Sequence, residues 1–255
     1  DTQSRRLYPE LGVIEDESTV GYSHYHSFQL TVNKRLSSGF TLLAAYTLSK
    51  NTGLVSPQGE GSLGTRHPFN WNLDRGVLGE DRTHVLAVSS VWNLPDFGTT
   101  GFARTLVGGW ELSGIFYATS GAPLTVRAGQ DRSLFGQNLD TADLVGDPRL
   151  AGGRPRQDEL SAWFNKAAFA LPAVGTVGTS GLNILRPGVW NLDGGLFRNF
   201  RVVEGLNVQF RAQFYNAMNH TRLNNPDTNF SSTNFGRILG TQTPRVGELG
   251  LKILF

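Results

Sequence analysis

Apolar and polar residues alternate along several segments of this chain, each close to ten residues long. The alternation is clearest at 206–215, where the apolar set is Leu206, Val208, Phe210, Ala212 and Phe214 and the intervening set is Asn207, Gln209, Arg211, Gln213 and Tyr215. Successive side chains of a β-strand point to opposite faces, so the pattern predicts a strand with one apolar and one polar face. A tilted strand needs about 9–11 residues to cross a bilayer. The segments therefore have the length of membrane-crossing strands.

The same alternation predicts about eight antiparallel strands. Seven are well marked, at 23–36, 40–49, 82–95, 110–118, 190–200, 206–215 and 245–255. A weaker first strand is predicted at 12–18. Helical periodicity is nearly absent, apart from a short helix predicted at 158–164 and one helical turn at 103–107. There is no run of ~18 apolar residues, which excludes a transmembrane helix.

The connections between these strands alternate between short and long. The turns at 37–39 and 201–205 are short and 96–109 is moderate, whereas three connections are long and rich in Gly, Pro, Asn and Asp: 52–81, 127–188 and 217–244. Outer-membrane barrels have short periplasmic turns and longer extracellular loops. The sequence therefore predicts an all-β fold, an antiparallel transmembrane β-barrel in the bacterial outer membrane, with the long connections outside the cell.

The composition suits a surface that meets lipid. Charged residues make up only 17% of the chain, aromatic residues reach 11%, and there are 31 glycines; about 25% charged is typical of soluble domains. The 23 Lys and Arg nearly balance the 21 Asp and Glu, so nucleic-acid binding has no electrostatic basis here. Trp92, Trp110 and Trp190 lie at predicted strand ends, where an interfacial aromatic belt would place them.

The polar faces of the predicted strands indicate a wet interior. An arginine facing lipid at the midplane costs about 2–4 kcal/mol, whereas polar residues facing the lumen cost little. We therefore expect five side chains to face the lumen, where they can contact a ligand: Asp193, Gln209, Arg211, Gln213 and Tyr215.

No constellation of residues indicates an enzyme or a cofactor. His24 and His26 lie two apart on a predicted strand and share a face, but a third metal ligand is lacking nearby in sequence, so no metal is expected. The Gly-rich segment 59–64 lacks the Gly-Lys-Ser/Thr ending of a phosphate loop. There is no cysteine, which excludes disulfides and thiolate metal sites.

The C-terminal segment resembles the signal that outer-membrane proteins present to the barrel assembly machinery. That signal has a polar residue, a glycine, hydrophobic positions and a terminal aromatic residue, and here Glu248, Gly250, Ile253 and Phe255 take those places. The resemblance implies two partners, the barrel assembly machinery and outer-membrane lipid.

Other segments resemble the C-terminal region of TonB-dependent receptors that carry an N-terminal carboxypeptidase-regulatory-like domain. These segments are 38–40, 45–50, 81–84, 163–169, 175–181, 183–188, 196–200, 209–216 and 219–221. The resemblance implies a barrel of roughly 22 strands, of which this chain would supply about eight. It also implies energised uptake of an unidentified small ligand, with TonB acting through a plug domain that is not among these residues.

Two alternatives remain at this point. One is a small, self-contained eight-stranded barrel that acts as an anchor or adhesin, whose interior would just be filled by side chains. The other is a soluble, secreted β-sandwich that binds carbohydrate, because a half-buried sheet also alternates.

Overall fold

The computed structural model describes residues 7–11, 19–54, 65–95, 108–136 and 139–255. Its strands are β1 (Tyr22–Ser37), β2 (Phe40–Leu54), β3 (Arg75–Val77), β4 (His84–Asn93), β5 (Trp110–Thr119), β6 (Pro123–Thr125), β7 (Asp143–Leu144), β8 (Phe169–Ala170), β9 (Leu182–Leu185), β10 (Val189–Val203), β11 (Leu206–Tyr215) and β12 (Val246–Leu254). One α-helix, α1 (Arg156–Ser161), and 3-10 turns at Pro9–Leu11, Trp71–Asp74 and Lys166–Ala168 complete the elements.

Seven long strands form one antiparallel sheet in the order β1-β2-β4-β5-β10-β11-β12, and the short β3 pairs with β2. This arrangement confirms the predicted antiparallel strands. The sheet is open, because β1 and β12 form its two edges and do not pair with each other. The weak strand predicted at 12–18, the helical turn at 103–107 and the Gly-rich segment 59–64 lie outside the described residues.

The strand register places most of the large apolar side chains of the seven long strands on one face, although Leu43, Ile115 and Phe197 lie on the other. At mid-height, Val88 of β4 lies opposite Ala44 of β2 and Phe116 of β5. Further along the sheet, Leu196 of β10 lies opposite both Leu112 and Ala212. Directly opposed residues share a face of the sheet. We call this face the apolar face and the opposite one the polar face.

The turns at one end of the sheet are tight and depend on backbone conformations with positive φ. Ser38 and Gly39 join β1 to β2 with φ of 52° and 76°. Gly205, with φ of 80°, lies in the turn between β10 and β11. Two-residue hairpin turns favour such conformations because they match the twist of the strands. The short turn predicted at 201–205 is in fact shorter, since β10 extends to Val203.

The long connections end within a few residues of the predicted bounds. Strand β2 extends five residues beyond Ser49, so the first long connection covers 55–83 and includes β3. The other two cover 120–188 and 216–245. The helix predicted at 158–164 is present as α1, two to three residues earlier in the chain. Among the described residues, no helix has the length and hydropathy to cross a membrane.

The buried hydrophobic core lies in the long connections rather than in the sheet. It contains Val126, Ala142, Phe164, Ala168, Phe169, Ile184 and Phe235. The rings of Phe164, Phe169 and Phe235 meet edge to face at centroid distances of 5.2–6.1 Å, an arrangement that aromatic rings prefer. Two small sheets, β6–β9 and β7–β8, lie in the connection 120–188. We call the packed connections 120–188 and 216–245 the loop module.

Candidate functional site: the polar face and the loop module

The five residues predicted to face a lumen all lie on the polar face. Gln209, Arg211, Gln213 and Tyr215 alternate along β11, and Gln213 is opposite Gly195 of β10. Asp193 is two residues from Gly195, so it points to the same side. The structure therefore brings the five together on one face of two adjacent strands. Their contact with a ligand remains a prediction.

Arg211 is oriented by a neighbour on its own strand. Its Nε donates a hydrogen bond of 2.6 Å to Oε1 of Gln209. Arg211 lies opposite Phe197 of β10, which in turn lies opposite Glu111 of β5. A cation, an aromatic ring and a carboxylate therefore follow one another across the polar face. This row offers charge, hydrogen bonding and a flat apolar surface to anything that enters.

Asp193 has a structural partner that the sequence did not indicate. Its Oδ1 accepts hydrogen bonds from Nδ2 of Asn191 at 2.7 Å and from the backbone N–H of Asn216 at 2.8 Å. Asn216 is only 2% exposed and has a φ of 50°. Its side chain exchanges two hydrogen bonds, each 2.9 Å long, with the backbone of His220. Asp193 therefore fixes the point where the chain leaves β11 and enters the loop module.

Buried charged groups attach the first long connection to the rest of the protein. Arg66 and Asp74 form an ion pair of 2.7 Å between side chains that are 5% and 1% exposed. Nη1 of Arg66 also donates to the carbonyl oxygen of Ser180 at 3.1 Å, within the loop module. In the same connection, the buried carboxylate of Asp81 accepts hydrogen bonds from Lys50 and from the backbone of Asn51. Sequence reasoning missed these anchors, although segment 81–84 carried part of the family resemblance.

Aromatic side chains lie at both ends of the apolar face. At the loop end, the hydroxyl of Tyr46 is 2.8 Å from Nδ1 of His84, and Trp190 stacks on His220 at a centroid distance of 3.9 Å. At the turn end, the guanidinium of Arg198 lies over the rings of Trp110 and Phe200, 5.3 and 4.6 Å from their centroids.

These two rows have the amphipathic character of membrane-interface belts. Trp92, opposite Phe40 and Leu112, belongs to the row at the turn end. The three tryptophans selected from the sequence therefore lie at the ends of the apolar face.

Four groups in the connections have shifted pKa values, and two of them, His220 and Arg186, lie near the loop end of the sheet. Burial lowers the pKa of His220 below its ordinary value, and the nearby positive charges of Arg156 and Arg222 lower it further. Burial also lowers the pKa of Arg186, as does the positive charge of Arg82, while the carboxylate of Glu80 acts in the opposite direction. In both cases burial is the main cause, and the positive charges of neighbouring arginines act in the same direction.

The histidines considered as metal ligands lie on the apolar face. His24 contacts Tyr22 edge to face, with ring centroids 5.4 Å apart. Within the described residues there is no group of three or more His, Asp or Glu side chains that could hold a metal ion. No catalytic arrangement was predicted.

The residues of the predicted assembly signal lie on β12 and just after it, at an edge of the sheet. Glu248 and Gly250 are opposite Gln213 and Arg211 on the polar face. Ile253, which is 62% exposed, is opposite Val208 on the apolar face. Phe255 is fully exposed. The hydrophobic positions therefore point to the side expected for lipid, and recognition by the assembly machinery remains a prediction.

Comparison with known proteins agrees with this geometry. A family model described as an outer membrane beta barrel domain matches residues 1–248. No curated protein and no solved structure matches the chain. The match confirms the predicted location and leaves a soluble, secreted sandwich without support. The chain belongs to the outer membrane beta barrel domain family, and the protein is located in the bacterial outer membrane.

Proposed function

We propose that this chain is part of the barrel of a TonB-dependent receptor that takes up an unidentified small ligand. The observation that carries the proposal is the open sheet of long strands with one polar face, because β1 and β12 both lack a second partner among the described strands. An unsatisfied backbone group in hydrocarbon costs several kcal/mol, so in this proposal further strands complete the barrel. A receptor barrel of roughly 22 strands meets this need, and a self-contained eight-stranded barrel is not favoured.

The polar face would line the lumen of this wide barrel. Gln209, Arg211, Gln213 and Tyr215 offer donors, acceptors and a positive charge to a polar ligand or to a plug domain. Asp193 takes a different part in the proposal, because its Oδ1 is occupied by Asn191 and Asn216. It would position the loop module relative to β11 and is not assigned to the ligand.

The loop module would provide the outer part of the ligand-binding surface. Its buried aromatic core gives these connections a defined shape, and Arg66 of the first long connection is attached to them by its hydrogen bond to Ser180. A preorganised surface binds with a smaller loss of conformational entropy than a mobile one. TonB would act through a plug domain, and the barrel assembly machinery would recognise β12 and the terminal Phe255.

The test uses the full-length protein in its own host. Strains that lack the gene, lack TonB or lack both are grown on a panel of scarce nutrients, including iron chelates, corrinoids and oligosaccharides. We expect growth on one nutrient to be impaired in all three strains. The double deletion should grow no worse on it than either single deletion. If uptake of that nutrient continues at the normal rate without TonB, the proposal is wrong.

A matched pair of variants then tests the polar face. Arg211→Ala removes a positive charge from the polar face, whereas Lys34→Ala removes one from the apolar face, where Lys34 lies over Phe40 at 5.1 Å. We expect slower uptake only for Arg211→Ala, at equal amounts of protein in the outer membrane. Equal uptake by both variants would remove Arg211 from the ligand path without deciding the role of TonB.

A further inference from the structure

A short loop of the first long connection exposes aromatic side chains between two buried ends. The ends are Arg66 and Asp74, which are joined by their ion pair and by a hydrogen bond of 3.1 Å from the backbone N–H of Arg66 to the Asp74 carboxylate. Between them, residues 68–72 are all exposed. We call segment 67–72 the aromatic loop. Compact surface loops whose ends lie close together are frequently functional.

The rings of the aromatic loop are held in fixed positions. The backbone N–H of Phe69 donates to Nδ1 of His67 at 3.1 Å, and Nε1 of Trp71 donates to the carbonyl oxygen of Pro68 at 3.1 Å. The His67 ring contacts Phe69 and, in the loop module, Phe135, both edge to face, at centroid distances of 6.3 and 5.1 Å. Phe69 is nevertheless 91% exposed. The loop therefore presents fixed rings to solvent, and fixed groups lose less conformational entropy on binding a ligand.

The segment that brings Phe135 to His67 has a strained backbone. Leu134 has a φ of 65°, a conformation that residues other than glycine rarely adopt. Two hydrogen bonds hold this turn, from the backbone N–H of Phe135 to Oγ of Ser133 at 3.4 Å and from that of Gly136 to Asp131 at 2.9 Å. Strained backbone conformations persist where surrounding contacts hold them, and they are common at binding sites. The strain supports a role for these rings beyond packing.

Side-chain amides alternate with rings along the aromatic loop. The order is Phe69, Asn70, Trp71 and Asn72, and segment 67–72 contains no acidic residue, lysine or arginine. The amide of Asn70 does not cap the 3-10 turn that follows it. A wholly apolar partner would remove water from both amides without replacing their hydrogen bonds, which is costly. The composition therefore favours a neutral ligand that has both apolar surface and hydroxyl groups.

We propose that the aromatic loop binds a neutral oligosaccharide. A hexopyranose ring carries polarised C–H groups on its face, which suit the negative face of an aromatic ring. Its hydroxyl groups suit side-chain amides, because an amide both donates and accepts hydrogen bonds. Phe69 and Trp71 would stack on sugar rings, while Asn70 and Asn72 would bind the hydroxyls. At the cell surface the site requires the long connections to lie outside, and it does not depend on TonB or on transport.

The test is isothermal titration calorimetry of the full-length protein in a detergent without a sugar headgroup. The probes are three neutral oligosaccharides, cellohexaose, mannohexaose and maltohexaose, and the open-chain polyol sorbitol at an equal concentration of hydroxyl groups. We expect saturable binding of at least one oligosaccharide and none of sorbitol, because an open chain has no ring face to stack. Lack of binding by all three oligosaccharides, or equal binding of sorbitol, would overturn the proposal.

Variants of Phe69 then test whether the flat ring is what binds. Phe69→Ala should weaken binding of the oligosaccharide about tenfold. Phe69→Tyr, which keeps the ring, should bind like the parent protein, whereas Phe69→Leu, which keeps only apolar volume, should bind as weakly as Phe69→Ala. These variants should fold normally because the side chain is exposed.

A control and a double variant locate the site. Met218→Ala removes another exposed apolar side chain, just after β11, and should leave binding unchanged. Unchanged binding by the Phe69→Ala, Trp71→Ala double variant would place the sugar elsewhere and contradict the proposal. Binding by Phe69→Leu as tight as that by Phe69→Tyr would contradict it too, because the contact would then be hydrophobic without stacking.

Discussion

Replacing Val88 with arginine should destabilise the inserted protein, because this side chain lies at the middle of the apolar face. Val88 is four residues from His84, in the aromatic row at the loop end, and four from Trp92, in the aromatic row at the turn end. The two rows are thus about 26 Å apart along the strand and, at a tilt near 40°, about 20 Å apart in height. This height is close to the lipid-facing band of outer-membrane barrels. Position 88 is therefore near the bilayer midplane.

The expected cost follows from this depth. An arginine at the midplane of the lipid face of a barrel costs about 2–4 kcal/mol. The adjacent Ser89 has the same depth but lies on the polar face, opposite Leu43 and Ile115, and is exposed. Ser89→Arg should therefore change the free energy of unfolding by less than about 0.5 kcal/mol. Val88→Met, which adds length without charge, separates the effect of size from that of charge.

The assay is reversible denaturant unfolding of the full-length protein in lipid vesicles, followed by tryptophan fluorescence. The three variants and the parent protein are compared at equal lipid ratio, and the difference in unfolding free energy is taken at a common denaturant concentration. A cost for Val88→Arg no larger than that for Ser89→Arg would refute the assignment of the apolar face to lipid. A cost for Val88→Met as large as that for Val88→Arg would show that size, not charge, is responsible.

Three further predictions concern the connections. Asp74→Ala leaves Arg66 buried without its carboxylate and should cost about 3–5 kcal/mol of local stability, measured as faster proteolysis of segment 65–77; an unchanged rate would be inconsistent with the anchor. Gly178→Ala should destabilise the loop module, because φ is +80° and the added Cβ would meet the carbonyl oxygen of Thr141, whereas Gly152→Ala, with open space around it, should not; thermal unfolding distinguishes them. His220 has a lowered pKa in the folded protein, so the folded state binds fewer protons than the unfolded state. Stability should therefore decrease as the pH falls from 6.5, the ordinary pKa of histidine, toward the lower pKa of His220 in the folded state. Hydrogen exchange of segment 216–245 should show this pH dependence, and His220→Gln should abolish it.

The long strands could be predicted because their signal is local. Each strand carries its own apolar–polar alternation, and the prediction for 206–215 coincides with β11. The predicted strand ends were less accurate where backbone pairing between strands continues beyond the lipid. β2 extends to Leu54 because its backbone still pairs with β1 and β3 in a region where no alternation is required. The register, which aligns seven apolar stripes on one face, follows from the tight turns and from burial of one face.

The loop module could not be predicted in the same way. Val126, Phe164 and Phe235 meet in one core although more than thirty residues separate each from the next in the chain, and no period links them. The ion pair of Arg66 with Asp74 and the contact of Arg66 with Ser180 likewise depend on tertiary structure. For the candidate site, alternation predicted that Asp193 shares a face with Gln213, but only the structure shows that its carboxylate holds Asn216.

Labelling of single cysteines tests the assignment of the two faces most directly. These 255 residues contain no cysteine. Once any cysteines elsewhere in the protein are replaced, labelling reports only the introduced cysteine. Cysteines at Gln209, Arg211 and Gln213 should react with a membrane-impermeant thiol reagent in intact outer membranes, whereas cysteines at Val208, Phe210 and Phe214 should be protected by lipid. Preferential labelling of positions 208 and 210 over 209 and 211 would contradict the account.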